Sequence, residues 1–184
     1  MAAFLRLVLV FCCCFTMGLS LKAEAASKAV FAIVDQGGYV DAISAKEWHM
    51  LTKATYRYPW YNLVADNTDV ATAVAGKKVQ PEALAALAKA KEAQALIIVK
   101  VHELNETLVH SFSLFHDFDE PLVRVTTAAD IYIYQANSGR LLKKRLRDHD
   151  LKEPGSYEAP AIVVKWELQR LLRQMKALEE ENKK

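Results

Sequence analysis

The stretch HSFSLFHDFDE brings together His110, His116, Asp117, Asp119 and Glu120, side chains that bind metals and move protons. Imidazole and carboxylate donors serve a metal only when they converge on one point. Kept extended, the chain sets His110 and His116 on one face but about 20 Å apart, at roughly 3.3 Å per residue, too far to chelate one ion. A bent loop would gather His116, Asp117 and Asp119, and the enzymatic alternative for this chain is a small metal-dependent hydrolase built there. The expectation is instead a solvated acidic loop tip before Pro121. His49 and His149 have no partner nearby in sequence and read as surface or edge residues.

Other reaction classes leave no trace. The chain has no G-x-S-x-G elbow and no H-E-x-x-H, and Gly37-Gly38 has neither the spacing nor the Lys-Ser/Thr pair of a phosphate loop. All three cysteines, Cys12, Cys13 and Cys14, fall inside the apolar run LVLVFCCCFTMGL, which follows Arg6 and leads to Ala23-Glu24-Ala25. A charge, an apolar run too short for a bilayer and an A-x-A site make the grammar of a secretory signal peptide. Cleavage is expected after Ala25. Val10 and Phe11 precede Cys12 where a lipoprotein would want small residues, so no lipid anchor is expected. The thiols leave with the leader, and disulfide, thiolate-metal and cysteine-nucleophile chemistry leave with them.

Two groups suit recognition rather than reaction. Lys143, Arg145 and Arg147 alternate, so on a strand they share a face, with Arg140 and Lys144 nearby. Such a stripe could meet anionic envelope polymer or lipid headgroups, although lysine and arginine also guard edge strands against pairing, which is the expected role. YRYPWY, residues 56–61, packs four aromatic rings around Pro59. These rings are expected to close the end of the core where a helix meets a strand. The alternative is that Tyr58 and Trp60 stay exposed and stack on a sugar or an apolar patch of a partner.

The elements that must position these residues follow from the hydrophobic pattern. Residues 28–36 read as a buried strand ended by Gly37-Gly38, and Ser44 with Glu47 has capping-box spacing for a helix to about Tyr56, stopped before Pro59. Residues 61–66 read as a second strand and 67–79 as a loop. Pro81 opens an alanine-rich helix with Leu84 and Leu87 on one face, and 94–104 follows as a central strand. Asn105-Glu106-Thr107 has the form of a glycosylation sequon and reads as a turn. Residues 122–134 alternate as a long half-buried strand, with Val123, Val125, Thr127, Ala129, Ile131 and Ile133 on the apolar face. QANSGR turns the chain into a partner strand, and a last helix from about Glu158 carries an apolar stripe from Ala161 to Leu178 before the tail EEENKK, expected to fray. The order is β-α-β-α-β-(β)-β-β-α: an α/β (α+β) fold with a single mixed sheet of about five strands and three helices, in one domain spanning 26–184 after a leader at 1–25.

The phrase ALAALAKAKEAQALIIVKV, followed later by IYIYQANSGRLLKKR with its turn Asn137-Ser138-Gly139-Arg140-Leu141, resembles the small exported α/β domains of the TolB amino-terminal domain, LpoB and CsgG. That resemblance implies a non-enzymatic protein of the cell envelope that works through contacts. The formal net charge of +2 is near neutral for 184 residues and argues against nucleic-acid binding. The function expected is therefore an exported, periplasmic or extracellular, interaction module with no cofactor, binding another envelope protein or a cell-wall polymer. Its candidate contact residues are Tyr58, Trp60, Lys143, Arg145 and Arg147. No membrane-spanning segment is expected once the leader is removed, and the oligomeric state is left open.

Overall fold

The computed structural model describes residues 26–57, 61–76, 79–110 and 121–181. Five strands form one mixed sheet: β1 (Ser27–Asp35), β2 (Tyr61–Ala65), β3 (Ala95–His110), β4 (Pro121–Gln135) and β5 (Arg140–Lys152), in the order β2-β1-β3-β4-β5. β1 runs parallel to both β2 and β3, whereas β3, β4 and β5 form an antiparallel meander. Four helices complete the fold: α1 (Ala42–Thr55), α2 (Val70–Ala73), α3 (Pro81–Ala90) and α4 (Pro160–Glu181). The sheet class, strand number and three long helices agree with the sequence reading, and α2 is an addition.

Parallel strands need crossover connections, and here the two crossovers lie on opposite faces. α1 joins β1 to β2 and buries Trp48 and Tyr56 on one face with Ala29, Phe31 and Ile97. α4 packs beside it, setting Val164, Leu168, Leu172 and Met175 against Ala129, Ile131 and Ile133. On the other face α2 and α3 bury Val70, Leu84 and Leu87 against Val30, Ala32, Leu96 and Ile98. Tyr132 and Tyr134 of β4 belong to that second core. From Ala129 to Gln135 β4 is therefore buried or nearly so at every residue, not half-buried as the alternation suggested.

Several local expectations change. α1 starts earlier, because Asp41 rather than Ser44 is its cap: the Ser44 amide donates to the Asp41 carboxylate at 2.6 Å. Glu47, freed from any capping role, pairs with Lys165 of α4 at 2.6 Å. Within the stretch read as a loop, α2 buries Val70, and Val74 just after it is buried too. Asn105-Glu106-Thr107 lies inside β3, paired with Thr126, Val125 and Arg124 of β4, and makes no turn. The last helix runs to Glu181, since the Glu179 carboxylate accepts hydrogen bonds from Tyr61 at 3.0 Å and from Gln135.

One irregularity bears on the site. Val101 pairs with Ala129 and Glu103 with Ala128, so His102 is an extra residue in β3, a β-bulge. A strand alternates its side chains, and one extra residue resets the alternation. β3 also outruns β1, whose last paired residue, Asp35, lies opposite Val101.

Candidate functional site: the open face of β3, β4 and β5

α2 and α3 cover the second face over β1 and β3 and share a core with the β4 rings Tyr132 and Tyr134, whereas past Leu141 the edge strand β5 has no helix above it on that face among the described residues. Antiparallel register puts Lys143 opposite Tyr132, Arg145 opposite Asp130 and Arg147 opposite Ala128, so the three cations share this open face. Lys144, opposite Ile131, points to the other side, and Arg140 lies at the turn. β5 is an edge strand, which is the setting where such residues also block pairing.

Asp130 organises the face. Its side chain is almost wholly buried and would be costly there unpaired, yet both oxygens are occupied. Arg145 Nε donates at 3.1 Å, Arg147 Nη2 at 3.2 Å, and His102 Nε2 lies 3.0 Å away. Burial alone would raise the Asp130 carboxyl, but the His102 hydrogen bond and the two guanidinium charges outweigh it and hold it below its ordinary value. Arg147 also donates to the carbonyls of Ala129 and Leu146. Lys143 Nζ stands 5.3 Å from the centre of the Tyr132 ring, a cation–π geometry. Burial, with the Asp130 charge beside it, pushes the Tyr132 phenol up to about 12, so it stays neutral across the physiological range. The face thus carries cations held in place, spaced about 7 Å apart along β5.

Neither Asp130 nor His102 was singled out from sequence. A signal for the first existed: an acid amid AADIYIY needs a partner, and its register opposite Arg145 follows from a hairpin turning at Asn137–Gly139. His102 lies on the Lys100 face of β3 by alternation, but its meeting with Asp130 depends on the β3–β4 register, which no local sequence pattern announces.

A further pairing of reactive side-chain types lies on this face. Thr126 Oγ1 and His149 Nδ1 lie 2.9 Å apart on the same face, a hydroxyl–imidazole pair. A working nucleophile also needs a group orienting the imidazole and donors for developing charge, and no orienting partner of His149 stands among the described contacts. His116, Asp117, Asp119 and Glu120 lie outside the described residues, as do Tyr58 and Trp60. Of YRYPWY the flanking rings are visible: Tyr56 is buried and meets Tyr61 edge-on at 4.9 Å. Burial and the Glu179 charge push both phenols well above their ordinary value, with the Tyr61 ring adding to the shift of Tyr56.

No protein-family model matches the chain, and a search of curated proteins finds no match. Among solved structures it is similar to a hypothetical protein from Chlamydia trachomatis, at 8% identity and TM-score 0.43, covering 82% of this chain and 96% of that one. It is also similar to the PelC dodecamer from Paraburkholderia phytofirmans, at 10% identity and TM-score 0.38, covering 80% and 85% respectively. A third is a minor lipoprotein from Acinetobacter baumannii, at 11% identity and TM-score 0.32, covering 83% and 94%. Likeness at this level carries no argument about activity, and it does not single out TolB, LpoB or CsgG.

Proposed function

We propose that the protein is an exported, non-catalytic binding module of the cell envelope that takes an acidic cell-wall polymer on the open face of β3, β4 and β5. The observation that carries this reading is the fixing of the cations. Surface arginines and lysines ordinarily lose much side-chain entropy on binding. Here Asp130 holds Arg145 and Arg147, and the Tyr132 ring holds Lys143, so part of that cost is met in folding. A row of positive groups at strand spacing suits a chain with repeated negative charge, and the near-neutral total charge confines the attraction to that face.

Export rests on the leader pattern and carries its own test: amino-terminal sequencing of the exported protein should begin at Ala26, and a sequence beginning at Met1 would contradict it. Binding is tested by titrating the purified protein with polygalacturonate at increasing salt. Affinity should fall steadily as salt rises, because screening weakens exposed charge contacts. Salt-independent binding, or none at low salt, would overturn the reading.

A further inference from the structure

β1 and β3 run parallel and side by side, but their carboxyl ends part company. After Asp35 the chain leaves β1 in the loop that leads to α1, while β3 runs on towards β4, and a crevice opens between that loop and the strand. A cavity of about 260 Å³ lies there, lined by Gln36, Gly37, Tyr39, Lys100, Val101 and His102. β3 continues past the end of β1 and walls one side.

Its chemistry is mixed in a particular way. Lys100 and His102 are basic groups carried on a strand rather than on a loop. Lys100 Nζ donates to the Val74 carbonyl at 2.6 Å, which aims the ammonium and uses one of its three donors. His102, two residues on from Lys100, shares its face of the strand and is oriented by Asp130. The opposite wall is the loop after β1, folded by the Asp35 carboxylate, which accepts from the amides of Gly37 at 3.2 Å and Val40 at 2.7 Å. Tyr39 lies against Gly37, where a Cβ would run into the ring, and remains 41% exposed. Glycine at 37 is therefore what lets an aromatic ring stand over the crevice. A lysine ammonium, an imidazole, an amide side chain and an aromatic wall around a space of one-ring size are the means by which a charged sugar is held.

We propose that this crevice seats a single anionic sugar residue, its carboxylate or phosphate on Lys100 and His102 and its ring against Tyr39. The inference rests on the reading of the partner as an acidic polymer and names the part of it that is recognised in detail, while Lys143, Arg145 and Arg147 meet the neighbouring charges. Isotope-labelled purified protein titrated with glucuronate, glucose 6-phosphate, neutral glucose and inorganic phosphate separates the possibilities by NMR. An anionic sugar should produce saturable shifts at the amides of Gln36, Gly37, Lys100 and His102, and the two anionic probes tell carboxylate from phosphate. Tyr39→Ala and Lys100→Gln should each weaken that binding by about tenfold. A dispersed spectrum shows that each variant is folded, and the exposed Tyr39 provides the variant least tied to folding. The proposal is overturned if neither anionic sugar shifts those amides, if glucose shifts them at the same concentration, or if inorganic phosphate binds as tightly as the sugar phosphate. Failure here with salt-dependent polymer binding intact removes the crevice alone; loss of polymer binding removes the wider reading.

Discussion

Asp130 is the residue on which the open face depends. Replacing it with asparagine leaves Arg145, Arg147 and His102 without their shared negative partner. The cost expected is about 1 to 2 kcal/mol, less than for a wholly buried ion pair because the guanidinium groups are half exposed. The pH dependence has a definite sign. A carboxyl held below its ordinary value when folded contributes stability above about pH 4, and that contribution is lost as pH falls through the folded value. Asp66 adds in the same direction, held at about 2 chiefly by its hydrogen bond from Lys91 at 2.7 Å. Urea midpoints measured from pH 5 down to 2 should therefore fall, and Asp130→Asn should show a shallower fall. Equal slopes for the two proteins would mean that Asp130 is not held as described.

At the scale of elements, what was legible in the sequence was what periodicity encodes. Strand β1, helix α3 and its Pro81 start, and the β4–β5 hairpin follow from alternation, helical spacing and turn residues, which act locally. Gly139 has φ +63, so Gly139→Val should lower stability by about 1 kcal/mol or more, and an unchanged denaturation midpoint would contradict the turn as drawn. The misses came from competition or from distance. Ser44 and Glu47 had capping-box spacing, but Asp41, three residues earlier, takes the Ser44 amide first. Asp41→Ala should lower the thermal midpoint and Ser44→Ala should leave it nearly unchanged; the reverse order would restore the sequence reading. The start of the tail reads as frayed because its charges have no local partner, whereas Glu179 finds Tyr61 and Gln135 across the fold; residues 182–184 lie outside the described residues. Contacts of that range are absent from any window of sequence.

Across the whole molecule, the same asymmetry accounts for the fold and for the proposed site. One sheet face is covered by α1 and α4 and the other only in part by α2 and α3, so among the described residues the outer strand β5 is left with a polar side beyond the helices. Among the described residues no helix is long and apolar enough to cross a membrane. The candidate residues of β5 could be placed on one face from their alternation alone, but which face was open depended on how many helices cover each side, a property of the assembled fold. The same β5 strand provides a control for the central claim. Lys143 stands on the open face and Lys144 on the opposite one, so Lys143→Glu and Lys144→Glu change the net charge equally while altering different surfaces. The decisive measurement is the affinity of the two variants for polygalacturonate at low salt, beside the unaltered protein. Lys143→Glu should bind about tenfold or more weakly and Lys144→Glu close to normally; equal loss in both would show that the attraction follows total charge and that the open face is not the binding site.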